Sequence, residues 1–291
     1  MQIDHPYNDL SGGSWVFGNI HAHTTVSDGS RGPQEVIDDY AARGHGFLMI
    51  SDHDVFTGHE EYEQLNSRGL VLIAGNEVSA DGPHMLHVNA TKKVFPHNSR
   101  QRVIDEVLAS GGFVILNHPN WHGNFDHFSL GHMASLTGYT GIEIYNGVIS
   151  RLDGSSYALD KWDMLLSYGR RTWGFANDDS HAVTGDCGLG WNCVYVREKT
   201  ASAIVSAMQA GRFYASTGVT ITGVEVSGNT IRIKTDNAER IVALQHYAKR
   251  IKCVDAKEIE LQVPDTARYV RFECWGRGES FAWTQPFWVK P

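Results

Sequence analysis

Short apolar runs recur through the first two-thirds of the chain, separated by helix-like stretches, and nearly every run ends beside a histidine, aspartate or glutamate. Alternating strands and helices predict a parallel sheet or barrel, a fold in which side chains at the strand ends gather at one mouth. The run W-V-F-G-N-I leads into His21-Ala22-His23. Pro33 suits a first helical position, and Glu35 to Ala42 reads as a helix closed by Gly44. Residues 46–50 and 70–74 read as buried strands, with Tyr62 and Leu65 marking a helix between them. Residues 85–90 fit an extra strand, and 99–110 an amphipathic helix with Val103, Ile104, Val107 and Leu108 on one face. Further strands are expected at 113–116, 142–145, 173–176 and 191–196, and helices at 156–167 and 201–210.

Past Gly211 the period changes. I-T-G-V-E-V, I-R-I-K-T, R-I-V-A-L-Q, E-I-E-L-Q-V and Y-V-R-F-E-C-W alternate apolar with polar residues, as an antiparallel β module does, and Gly228-Asn229 fits a turn. The expected division is a body at 1–214 and a β module at 215–291. Histidine follows the same division: 14 of the 15 lie between His5 and His181, and only His246 lies beyond. A metal- or proton-handling body followed by an appendage without that chemistry accounts for this.

Net charge is −8. The body carries 14 basic and 24 acidic residues, the module 11 and 9. An acidic body argues against a broad duplex-DNA surface, where phosphate neutralisation supplies most of the affinity. No apolar stretch approaches the roughly 20 residues of a membrane helix, and the first ten residues have neither a basic nor an apolar signal region. A soluble cytoplasmic protein is the expectation. Cys187, Cys193, Cys253 and Cys274 lack C-x-x-C spacing and read as reduced, mostly buried thiols.

The candidate ligands are His21 and His23, on one face of a strand; Asp28 in T-V-S-D-G; His53 in S-D-H-D; Glu77 in A-G-N-E; His87 in H-M-L-H-V; His118 before Pro119; and Asp179 and His181 in D-D-S-H. Imidazole and carboxylate donors suit Zn²⁺, Mn²⁺ or Fe²⁺. A catalytic ion takes about three protein ligands, so nine candidates imply two or three ions. Each motif alone is weak: H-x-H occurs on many exposed strands, S-D-G is a turn signal, and a single Glu77 is most often a solvated carboxylate. Asp52 reads as a capping or surface residue. His84 competes with His87, which is preferred. His5, His45, His59 and His97 read as surface or loop residues; His122, His127 and His132 read as lining an entrance or as structural. Trp121, Trp162 and Trp173 read as core or pocket wall.

In this order, H-A-H-T-T-V-S-D-G, S-D-H-D, G-N-E, the His87 region, N-H-P and D-D-S-H resemble the PHP (polymerase and histidinol phosphatase) family over roughly residues 15–185. G-R-F-Y-A-S-T-G followed by a β module is similar to family members with an appended C-terminal domain. The resemblance implies a distorted (β/α)7 barrel with a small C-terminal antiparallel β domain and a di- or trinuclear centre. It implies that His21, His23, Glu77 and Asp179 hold one ion, that Glu77 bridges to a second completed by His87 and His118, and that Asp28, His53 and His181 hold a third.

That centre implies a hydrolase cleaving a small organic phosphate monoester or diester with a metal-activated hydroxide, with Glu77, Asp179 and His181 as catalytic residues. His181, Asp178 or Asp54 is expected to protonate the departing alkoxide, and Arg31 and Arg151 are candidate phosphate partners. The same ions acting on carbon would give a carbamate, ester or amide hydrolase. A nuclease acting on mononucleotides or short ends is a third reading, and a metal-stabilised binding protein is the non-enzyme alternative.

Overall fold

The structure, a computed structural model, describes residues 2–290. The chain opens with β1 (Gln2–Asp4) and β2 (Ser14–Asn19). α1 (Pro33–Ala42) starts on Pro33, whose missing N–H is not needed there, with Glu35 Oε2 accepting from Gly32 N at 2.7 Å. It ends at Arg43, and Gly44 then takes the left-handed φ of +82° that closes many helices. β3 (Phe47–Leu48), α2 (His59–Tyr62), β4 (Val71–Leu72), β5 (Gly75–Val78) and β6 (Met85–Val88) follow. α3 (Arg100–Ala109) is capped by Ser99 and buries Val103, Ile104 and Val107. Then come β7 (Phe113–Leu116), α4 (Leu130–Ser135), β8 (Gly141–Asn146), a 3-10 turn at Val148–Arg151, α5 (Leu159–Ser167), β9 (Trp173–Asn177), β10 (Trp191–Val196), α6 (Ala201–Gln209) and β11 (Phe213–Ser216).

The expected parallel pairing holds only in part. β2, β3 and β4 pair in parallel, as do β7, β8 and β9, whereas β10 runs antiparallel to β2, and β6 runs antiparallel to both β5 and β7. The result is a mixed α/β fold. One sheet runs through β11, β10, β2, β3 and β4; a second holds β5 to β9. Isolated parallel bridges tie the segments after β3 and β2 to the second sheet, His53 to Glu77 of β5 and Ala22 to Ser180 just after β9. Between β9 and β10 a side chain replaces the ladder: Asn192 accepts from Ala176 N at 3.1 Å and donates to Ala176 O at 2.8 Å. Gln285 does the same for Gly174, at 2.9 and 2.8 Å. A carboxamide carries a donor and an acceptor, so it satisfies a buried peptide group as a neighbouring strand would.

β12 (Ile221–Ser227), β13 (Thr230–Thr235), β14 (Arg240–Gln245), β15 (Lys249–Val254), β16 (Glu258–Gln262), β17 (Tyr269–Trp275), β18 (Phe281–Thr284) and β19 (Phe287–Lys290) complete the chain. β12 and β13 form a hairpin around Gly228-Asn229, with Gly228 at φ +60°. β12, β13 and β16 form a three-stranded sheet; β14, β15, β17, β18 and β19 join the sheet of the body through β11. Ile221, Ile231, Ile233, Ile259 and Leu261 of the small sheet share a core with Ile241, Val270 and Phe272 of the large one. Arg271 of β17 is fully buried and donates to Asp163 of α5 at 2.7 and 2.5 Å and to Glu273 at 2.9 Å, over the Trp162 ring at 5.1 Å.

His45, expected at the surface or in a loop, lies in the turn after α1 but is buried, its ring 5.0 Å from those of both Phe17 and Tyr40. Neither ring nitrogen has a partner, and burial pushes its pKa down to about 4. Below about pH 6.5 the unfolded chain takes up a proton that the folded chain refuses until about pH 4. Stability is therefore expected to fall as pH drops through that window, by up to about 3 kcal/mol from this group. Urea titrations at pH 7 and pH 5 should show a smaller drop for His45→Phe than for the parent. All four cysteines are free thiols, three buried and Cys253 exposed. Among the described residues, no helix is long and apolar enough to cross a membrane.

Candidate metal centre

His21 and His23 follow the end of β2, and Ala22 between them is bridged to Ser180, which fixes both imidazoles on the inward face. Glu77 lies within β5, not after a strand, and is fully buried. His118 follows β7, and Asp179 and His181 follow β9. His118 (φ +29°) and Asp179 (φ +57°) adopt left-handed backbone, which costs about 1–3 kcal/mol per residue and persists only where the surroundings impose it.

Glu77 is the hub. Its Oε1 lies 3.3 Å from His21 Nε2, 3.3 Å from His84 Nδ1 and 3.4 Å from His118 Nε2; its Oε2 lies 2.8 Å from His53 Nδ1. Asp179 Oδ1 lies 3.1 Å from both His21 Nε2 and His23 Nε2. Toward solvent, Asp28 sits 3.3 Å from His181 Nε2, 3.5 Å from His53 Nε2 and 3.7 Å from His23 Nδ1. Burial alone would raise the Glu77 pKa, but the imidazoles of His84, His21 and His118 pull it well below the usual carboxylate range. Asp179 is held low in the same way by His21, His23 and His181, and Asp28 by its bonds to His181 and His53. All three are anionic at neutral pH.

The atoms that converge lack ordinary partners. His21 Nε2, both nitrogens of His23, His53 Nδ1, His84 Nδ1, Glu77 Oε2 and Asp179 Oδ1 are buried without a hydrogen bond. So many orphaned donors and acceptors are costly unless another group satisfies them. Each also belongs to a cluster of three or four groups whose ligand atoms lie within 4.8 Å of one another. Imidazole and carboxylate clusters of this kind fit divalent transition-metal ions.

The outer contacts set the ring tautomers. His21 Nδ1 donates to Glu143 Oε1 at 2.7 Å, leaving Nε2 free toward Glu77 and Asp179. His181 Nδ1 donates to the Asp179 carbonyl at 2.8 Å. His127 Nε2 accepts from His84 N at 2.9 Å, so His127 anchors the segment that carries His84. Glu143 was not among the residues singled out from the sequence. It is buried in β8, accepts from His118 N at 2.8 Å, Asn146 Nδ2 at 2.9 Å and Asn177 Nδ2 at 2.8 Å, and orients three strand ends at once. Its signal was an acid in the apolar run G-I-E-I-Y. Losing such an outer partner typically costs about 10–100-fold in metal affinity or activity, and Glu143→Gln should do so, read by metal titration with the fold checked by circular dichroism.

Eight of the nine expected ligands come together: His21, His23, Asp28, His53, Glu77, His118, Asp179 and His181. His87 does not. It pairs across β5 and β7 with Asn76 and Val114, whereas Glu77 pairs with Leu86, so strand alternation puts His87 on the face opposite Glu77. Its Nε2 contacts Ser110 Oγ at 3.2 Å. His84, just before the strand, stands in the cluster instead. His84→Ala should lower metal content, while His87→Ala and His246→Ala should leave it unchanged, by elemental analysis.

The residues expected to meet phosphate or move protons are mostly committed elsewhere. Asp54 accepts from Ser79 N at 3.0 Å, Ser79 Oγ at 3.1 Å and Ala80 N at 3.0 Å. Asp178 is fully buried and accepts from Tyr40 Oη and the amides of Gly188, Leu189 and Gly190 at 2.7–2.9 Å. Arg31 is buried against Asp39 at 2.7 Å and Cys187 Sγ at 3.0 Å. Arg151 and His181 border the cavity over the centre, and there Arg151 pairs with Asp186 through Nε at 3.1 Å and Nη2 at 2.8 Å. Asp52 accepts from Thr24 and Ser27 and holds the loop that carries Asp28.

No family model matches the sequence. A two-domain protein from Bacteroides vulgatus, described as containing a predicted PHP-like metal-dependent phosphoesterase, superposes with a TM-score of 0.58 at 18% identity, over 94% of each chain. The chain has the PHP-like fold. The family resemblance carried by the motifs is borne out at this level. Two curated relatives match shorter stretches of this PHP-like chain. A 3',5'-nucleoside bisphosphate phosphatase of Chromobacterium violaceum is 39% identical over 72 residues, covering 24% of this chain and 25% of the relative. A 5'-3' exoribonuclease of Haemophilus influenzae is 34% identical over 79 residues, covering 25% and 29%. The matched stretch thus spans about a quarter of the length of the curated relatives.

Proposed function

We propose that this protein is a metal-dependent phosphoesterase acting on a small organic phosphate, with two or three divalent ions at the strand ends. The observation that carries this reading is the convergence of orphaned imidazole and carboxylate atoms on Glu77 and Asp179, beneath an open cavity of about 280 Å³. The two body sheets are read as halves of one distorted seven-stranded barrel spanning 1–214, with 215–291 as its β module. That both curated relatives act on nucleotide phosphates supports the phosphoryl assignment.

His21, His23, Glu77 and Asp179 would hold one ion, Glu77 with His84, His118 and His53 a second, and Asp28, His53 and His181 a third. Bound there, divalent ions supply an acidified water and positive charge against phosphoryl oxygens. The chain's own residues do the rest. Glu143 keeps His21 in the tautomer that presents Nε2 inward. His181 is the group placed to pass a proton to the departing oxygen, since Nε2 borders the cavity and Nδ1 is committed to the Asp179 carbonyl. A third ion would use the same Nε2, so metal stoichiometry separates the two roles.

The test is metal analysis with a substrate panel of p-nitrophenyl phosphate, bis(p-nitrophenyl) phosphate and an aryl carbamate. Two or three ions per chain are expected, with phosphate ester turnover lost to chelator and restored by Zn²⁺, Mn²⁺ or Fe²⁺. Cleavage of the carbamate alone would move the chemistry to carbon, and metal-loaded protein inert on the whole panel would make it a binding protein.

A further inference from the structure

We infer that the cavity selects esters carrying a single phosphoryl group on a compact apolar or aromatic alcohol, and discriminates against a second phosphate. This rests on the phosphoesterase reading of the same site. The cavity has two chemically distinct sides. Asp28, His53, His84, His118, Asp179 and His181 form one; Trp121, Val148, Ile149 and Leu152 form the other.

The apolar side is built and rigid. Trp121 stacks on His122 at 4.2 Å and 20°, and its backbone is bridged to Gly154. The loop bearing it is pinned by Lys161, which is buried and donates to the carbonyls of Pro119, Phe125 and Phe128 at 2.6–2.8 Å. Val148 N donates to the Asp178 carbonyl at 2.9 Å, which fixes the other half of the wall against the strand end that carries Asp179. Apolar carbon held beside a charged centre in this way favours an apolar leaving group.

The same cavity is poor in basic side chains. Among the described residues, Arg151 is the only lysine or arginine lining it, and its Nε and Nη2 already serve Asp186. Asp186 is itself buried and accepts from His181 N at 3.1 Å and Ala182 N at 2.8 Å, so it is not free to leave. A second phosphate would meet the Asp28 carboxylate on the cavity lining, with one half-used guanidinium to offset it. The volume, about 280 Å³, lies just under the roughly 300–1,000 Å³ usual for ligand pockets, which favours a compact alcohol.

The experiment compares 1-naphthyl phosphate, methyl phosphate and adenosine 3',5'-bisphosphate on the metal-loaded full chain. It is paired with calorimetric binding of phenylphosphonate and methylenebisphosphonate, which needs no turnover. The aryl monophosphate should give the highest kcat/KM, and phenylphosphonate the tighter binding. Trp121→Ala should lower kcat/KM for the naphthyl ester by about 10–100-fold, mainly through KM and by a larger factor than for methyl phosphate, with Trp121→Phe restoring most of the loss. Leu152→Arg, at an exposed rim position, should raise use of the bisphosphate. Equal or better turnover of the bisphosphate, tighter binding of methylenebisphosphonate, or equal loss on both monoesters in Trp121→Ala would overturn the inference while leaving the phosphoesterase reading intact. Phenylphosphonate binding without turnover of any phosphate ester would support the pocket chemistry and overturn that reading instead.

Discussion

Glu77→Gln is expected to strip at least one ion from the centre and to lower turnover by more than the roughly 100-fold upper range of an outer-contact loss. The substitution is nearly isosteric, and the new amide can still accept from Asn117 Nδ2, which now donates to Glu77 Oε1 at 2.5 Å. What changes is the field. Four imidazoles face this one carboxylate within 3.4 Å, and a neutral amide presents N–H donors where cations need an anionic oxygen. Elemental analysis and initial rates on one preparation check both effects, and circular dichroism shows that the fold persists. Unchanged metal content together with unchanged rates would remove Glu77 from the centre.

Arg271→Ala is expected to destabilise the chain by about 3–5 kcal/mol, the usual effect of breaking a buried ion pair from one side. The loss leaves the Asp163 side chain buried with no guanidinium, and it removes the cation from the Trp162 ring. Urea unfolding measures the change. The double substitution Arg271→Met with Asp163→Leu should recover most of it, because apolar replacement of both partners removes the unpaired charge. Metal content of folded Arg271→Ala should match the parent, since neither residue touches the centre. A loss under about 1 kcal/mol would mean that water reaches Asp163.

Much of the centre was legible because its ligands sit at strand ends, and strand ends are marked locally by an apolar run meeting a polar cluster. His21, His23, His53, His118, Asp179 and His181 all carry that mark. The choice of His87 over His84 failed for a different reason. Alternation along β6 was readable, but the register against Glu77 is a pairing between strands, and a shift of one residue exchanges the two faces. Glu143, Asn146 and Asn177 were hidden because their work is to bond partners far away in sequence: Glu143 to His21, Asn146 to Asp179 and Asn177 to Glu143. Arg31, Asp54 and Asp178 carry suitable chemistry, yet each is consumed by contacts no local pattern announces. The same limit applies to the fold. β3 and β4 shrink to two residues each, since their neighbours rather than their own lengths decide how far the ladder runs, and α4 is too short to show a period.

The Gln285 carboxamide grips both peptide groups of Gly174, five residues before Asp179. The strand that presents a central acid of the cluster is therefore completed by a residue more than a hundred positions later. During synthesis this part of β9 stays without that partner until Gln285 has emerged, more than a hundred residues after the segment that carries Asp179. Changes to Gln285, which touches none of the clustered ligands, are a route by which damage in the C-terminal strands would reach the strand before Asp179.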